Sequence, residues 1–78
     1  MDKHVTVYST PSCPWCVRAK EFLKDNNITF QDIDVSSDQV AAEEMIQKSG
    51  QMGVPVVDID GEIILGFDKE KITQTLGL

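Results

Sequence analysis

Between residues 4 and 8 the chain alternates. Val5 and Val7 fall on one face and Thr6 and Tyr8 on the other, the two-residue period of a strand. Ser9-Thr10-Pro11-Ser12 interrupts it, and Pro14 then opens a helix at the position where a missing N–H costs nothing. Over residues 14–26 the period is helical. Cys16, Ala19 and Leu23 form an apolar stripe flanked by Phe22, while Arg18, Glu21 and Asp25 lie opposite. Residues 28–35 are rich in β-branched and aromatic side chains and predict a second strand, with Phe30 and Ile33 in the core. A second helix over 38–49 starts among the caps Ser36, Ser37 and Asp38. Its apolar face is Ala41, Ala42, Met45 and Ile46, and Glu44 and Lys48 stand four apart on the wet face. Residues 54–59 make a third strand beginning at a proline. Asp60-Gly61 is a hairpin signal, and residues 62–65 return antiparallel. Asp68 caps a final helix with Ile72 and Leu76 on one face.

The order is β-α-β-α-β-β-α. A strand–helix–strand unit implies a right-handed crossover and a parallel pair, and the closing hairpin adds an antiparallel one. The expectation is α/β: a four-stranded mixed sheet flanked by three helices, with helices on both faces. With 78 residues there is material for a single domain spanning 1–78.

Composition narrows the function. The net charge of −6 gives no basic face for phosphates, which argues against nucleic acid. Two cysteines are too few for a disulfide-stapled secreted scaffold. No basic segment followed by an apolar one opens the chain, and no apolar run approaches the ~20 residues of a membrane span. The expectation is a cytoplasmic monomer without membrane contact, in which paired cysteines are catalytic or metal-binding.

Cys13-Pro14-Trp15-Cys16 lies where the first strand hands over to the first helix. Residues three apart at a helix start are close enough for a disulfide with little backbone movement. Cys13, at the cap, faces unpaired N–H groups and the positive helix end, which favour a thiolate. Arg18 and Lys20 would add positive potential. Cys16 falls on the buried stripe, where desolvation raises a thiol's pKa. The asymmetry assigns Cys13 as nucleophile and Cys16 as resolving thiol. A metal site within one chain is short of ligands, with two Cys and one His against the usual four. A cluster shared between two copies and completed by external thiols remains an alternative, as does an adaptor without turnover.

The run Val7-Tyr8-Ser9-Thr10-Pro11-Ser12-Cys13-Pro14-Trp15-Cys16, with Gly53-Val54-Pro55 and Gly66-Phe67-Asp68, resembles the glutaredoxin family over essentially the whole chain. The resemblance implies the minimal thioredoxin fold and a thiol–disulfide oxidoreductase with no bound cofactor. It would act on protein or glutathione mixed disulfides and draw electrons from glutathione or a flavin-dependent thioredoxin reductase. It implies that Pro55 is a cis-proline, that the Val54 backbone pairs with an extended substrate, and that Pro14, Trp15, Gly66, Phe67 and Asp68 belong to the substrate or glutathione site. For cluster holding, the family usually places glycine where Pro14 stands. The chain departs from the glutathione-using pattern at Thr10, Gly53, Phe67 and Trp15, where a basic residue, threonine, glycine and tyrosine are usual. Thr10 removes a cation for a glutathione carboxylate. The Gly-Phe-Asp ending resembles the small bacterial redoxins, some of which are served by thioredoxin reductase.

Overall fold

The computed structural model describes residues 4–78; Met1, Asp2 and Lys3, on which the reading of the N-terminus partly rests, lie outside the described residues. Seven elements follow one another: β1 (Val5–Ser9), α1 (Pro14–Asp25), β2 (Gln31–Asp34), α2 (Gln39–Ser49), β3 (Val56–Ile59), β4 (Glu62–Leu65) and α3 (Lys69–Leu76). The four strands form one sheet in the order β2-β1-β3-β4. β1 runs parallel to β2 and antiparallel to β3, and β3 antiparallel to β4. Among the described residues no helix is long and apolar enough to cross a membrane.

The alternation of β1 serves two cores. Val5 and Val7 pack with Leu23, Val57, Ile59, Ile64 and Ile72, which places α1 and α3 on one face of the sheet. Tyr8 packs with Val56, Ala41 and Met45, which places α2 on the other. All five residues of β1 are buried for this reason. Cys16, Ala19 and Leu23 are the buried residues of α1, as the stripe predicts.

The elements differ from the sequence expectations where local geometry intervenes. The second strand is shorter than residues 28–35. α1 ends in a left-handed Asn27 (φ 59°), with the Asn27 and Ile28 N–H groups donating back to the carbonyls of Lys24 and Leu23. That cap commits Ile28 to the helix end before strand pairing can start. Ile28 and Phe30 still fill the core from the connection. The third strand begins at Val56 rather than at 54, because Pro55 offers no N–H to a ladder; the Val54–Pro55 bond is cis. Ser9 belongs to β1, and Asn26, Asp38 and Asp68 are caps outside their helices. In α2, Ile46 is exposed and the apolar face reduces to Ala41 and Met45, with Ala42 half-buried. Lys48 does not pair with Glu44: its Nζ donates to Tyr8 Oη and to Asp58 Oδ2, both at 2.9 Å. The hairpin is as expected, with positive φ at Asp60 (50°) and Gly61 (92°), the left-handed pair a two-residue turn demands.

Candidate active site

Strand register brings three separate stretches together. Tyr8, near the end of β1, is paired with Val56, the first residue of β3, and Val56 is paired with Leu65, the last of β4. The turn from β1 into α1, the Val54-Pro55 approach to β3 and the exit from β4 at Gly66 therefore meet at one edge. The Gly66 N–H donates to the Pro55 carbonyl at 2.8 Å, with Gly66 at φ 71°, a conformation that favours glycine. This bond fastens the β4 exit to the cis-proline segment. Trp15, Val54, Pro55, Gly66 and Phe67 line one open groove of about 290 Å³.

Cys13 is the N-cap of α1, extended at φ −95° and ψ 111°. Its half-buried sulfur accepts the Cys16 N–H at 3.2 Å and lies 4.0 Å from the Val54 carbonyl oxygen. An N–H aimed at the sulfur from the first turn of a helix stabilises negative charge there. Cys16 is fully buried. Burial pushes its thiol up to about 11, with the neighbouring Cys13 sulfur adding to the rise and the Thr10 backbone and the Lys20 charge opposing it. The two sulfurs thus occupy the contrasting surroundings expected of them: one half-exposed at a helix start, one in the core.

Other expected site residues are placed as follows. Trp15 is 56% exposed and lines the groove together with Phe67. Phe67 also packs against Phe22 of α1, with ring centroids 5.9 Å apart, which anchors its ring. Pro14 is exposed at the first position of the helix and is not part of the groove lining. Asp68 is not part of it either. Its Oδ1 accepts the Lys71 N–H at 3.1 Å, and it lines a separate depression with Glu70, Lys71 and Gln74. Among the described residues no group of three His, Cys, Asp or Glu side chains converges as a metal site.

The two cations expected near the sulfurs are held in different ways. Lys20 Nζ is bound to Asp32 Oδ2 at 3.0 Å, and Asp32 Oδ1 also accepts from Ser9 Oγ at 2.9 Å. Much of the Lys20 charge is therefore answered by β2. Arg18 instead lies over the indole of Trp15, its Cζ 5.0 Å from the ring centroid. Sequence reasoning read Arg18 as part of the wet face and did not join it to Trp15. Their i,i+3 spacing was the available signal.

The glutaredoxin family model matches residues 5–64, from the start of β1 into β4. The chain belongs to the glutaredoxin family. It is 50% identical over 72 residues to an uncharacterized glutaredoxin-like 8.6 kDa protein in the rubredoxin operon of Clostridium pasteurianum, covering 92% of this chain and 96% of that one. It is 37% identical to glutaredoxin 3 of Escherichia coli strain K12, covering 83% of this chain and 78% of the relative. Among solved structures it is similar to a thioredoxin-like protein at a TM-score of 0.87 and 42% identity, covering 92% of this chain and 99% of that chain. The thioredoxin-like glutaredoxin fold and the family membership make this chain a thiol–disulfide oxidoreductase.

Proposed function

We propose that this glutaredoxin reduces protein or glutathione mixed disulfides with Cys13 as nucleophile and Cys16 as resolving thiol. The observation that carries the reading is the half-buried Cys13 sulfur, which caps α1 and accepts the amide of the buried Cys16 at 3.2 Å. The Cys13 thiolate attacks one sulfur of the substrate disulfide, forming a mixed disulfide and expelling the other sulfur as a thiolate. Cys16 then gives up its proton and attacks the Cys13 sulfur. The Cys13–Cys16 disulfide forms, the second substrate thiolate leaves, and two electrons have passed to the substrate. A thiol held in the core at about 11 is a poor external nucleophile, so Cys16 serves the internal step.

An extended segment lying in the groove would pair with the Val54 backbone, whose carbonyl lies beside the Cys13 sulfur, while Trp15 and Phe67 flank it. Pro14 would preset the first turn, Pro55 and Gly66 would hold the Val54 peptide, and Asp68 would meet the amino end of a bound glutathione. No bound cofactor is required, because the two sulfurs are the redox centre. The setting is cytoplasmic and the working unit a monomer.

Thr10, in place of a cation, weakens glutathione capture and favours a flavin-dependent thioredoxin reductase as electron donor. The test compares the rate at which the oxidised protein is reduced by glutathione with glutathione reductase against the rate with thioredoxin reductase. Faster coupling to thioredoxin reductase is expected. Faster coupling to glutathione reverses the donor assignment, and failure of both overturns the catalytic reading. A coloured dimer from anaerobic purification would instead establish the shared iron–sulfur cluster.

A further inference from the structure

The groove beside Cys13 has unlike sides. On the α1 side stands Trp15 with Arg18 over its ring; on the α3 side Phe67 leads into Asp68, Lys69, Glu70 and Lys71, whose charges alternate and balance. Arg18 is exposed and, among the described residues, has no carboxylate partner. Lys20, two residues on, is tied to Asp32 and Lys48 to Asp58, while Lys24, Lys69 and Lys71 also lack an ion pair among the described residues; Arg18 differs from these in resting on a residue that lines the groove, whereas Lys69 lies over Phe22 outside it. In a chain of net charge −6, acids to neutralise Arg18 are plentiful, yet it lies on an aromatic ring instead. A guanidinium stacked on an indole keeps its edge N–H groups free for a carboxylate, and the stack reduces the rotamer freedom lost when one binds. Any group resting against the groove wall at Trp15 lies within about one Debye length of that charge at physiological ionic strength.

We propose that Arg18, held on Trp15, is a specificity-determining residue that favours polypeptide disulfides carrying an acidic side chain next to the reacting cysteine. The acidic residue sits on the α1 side of the groove, away from Asp68 and Glu70. This rests on Cys13 being the nucleophile, since only then does the substrate disulfide lie beside Trp15.

The experiment uses two mixed-disulfide peptides that differ by Glu or Gln beside the cysteine, with glutathione disulfide as a third substrate. The readout is the ratio of kcat/KM for the Glu peptide to that for the Gln peptide. It is measured in the wild type, Arg18→Gln, Arg18→Lys and Lys24→Gln. Lys24 is an exposed cation further along α1, and its replacement changes net charge equally. The ratio is expected to exceed one in the wild type and to fall by about threefold in Arg18→Gln, the scale of an exposed ion pair. It should lie between the two in Arg18→Lys, which keeps charge without the planar stack, and should hold in Lys24→Gln. Raising salt should lower the wild-type ratio and leave that of Arg18→Gln nearly flat. An equal ratio in wild type and Arg18→Gln overturns the proposal. So does an equal fall in Lys24→Gln, which would assign the effect to the whole domain's field, or a loss confined to glutathione disulfide. No turnover of any of the three substrates by the wild type marks failure of the catalytic reading itself and removes this proposal with it.

Discussion

The proposed chemistry of this chain depends on two sulfurs three residues apart in different surroundings. Cys13 takes the amide at the mouth of α1, and Cys16 has no solvent contact. Replacing Cys13 by Ser should abolish turnover. Cys16→Ser should accumulate a covalent mixed disulfide with protein substrates, visible as added mass under non-reducing conditions; an unmodified chain that still turns those substrates over would deny Cys16 the resolving role. Cys16 also links stability to pH. Its folded thiol is pushed up to about 11, above the ordinary thiol value. The folded protein therefore keeps a proton that the unfolded chain has released, and the stability this gives is complete below the ordinary value and lost as pH rises towards about 11. Thermal melts of the reduced wild type should fall more steeply through that alkaline window than those of Cys16→Ala. Parallel slopes would show that the core does not hold the thiol protonated. The contrasting surroundings of these two residues were legible in the sequence because helix period and cap position separate a half-buried from a buried sulfur. The Arg18–Trp15 stack was not, since an arginine on the wet face has many side-chain conformations and only the folded surface selects one.

Among the elements, ends matter more than interiors. Asp38 Oδ1 accepts the Ala41 N–H at 3.1 Å and starts α2, whose anchorage in the core is Ala41 and Met45. Asp38→Ala should cost about 1 kcal/mol in chemical denaturation. A loss under a few tenths would mean packing alone starts the helix. Leu23 of α1 is fully buried between sheet and helix, and Leu23→Ala should cost about 2–5 kcal/mol with a cavity left behind. The helices and the hairpin were legible because their signals are local: caps, a 3.6-residue stripe and the Asp60-Gly61 pair. The start of β2 was not, because residues 28–30 suit a strand, yet the Ile28 N–H is taken by the Leu23 carbonyl at the end of α1.

Across the whole molecule, Lys48 ties α2 to the sheet through Tyr8 of β1 and Asp58 of β3. These hydrogen bonds hold the ammonium proton far more firmly than usual, while the side chain remains about two-fifths exposed. Solvent screening therefore limits the gain. Lys48→Met should lower stability by no more than about 1 kcal/mol at low salt, and by less at high salt, in matched urea titrations. A loss unchanged by salt would assign the effect to packing of the lysine stem. Tyr8 and Asp58 are 50 residues apart, so nothing in the pattern around Lys48 pointed to them; Glu44, four residues away, was the local choice that tertiary packing overrode.

By itself the sequence determined the order of elements, the two faces of the central strand, the placement of a dithiol at a strand-to-helix turn and the family to which the chain belongs. The first three follow from interactions between near neighbours in the chain; the family follows from the resemblance of motifs in three separate stretches. The tertiary structure decided how far each strand runs, which cations are neutralised, and that Trp15, Val54, Pro55, Gly66 and Phe67 share one groove while Asp68 stands outside its lining. Those outcomes depend on strand register. Pairing Tyr8 with Val56 and Val56 with Leu65 sets three distant segments side by side, a result no local spacing specifies.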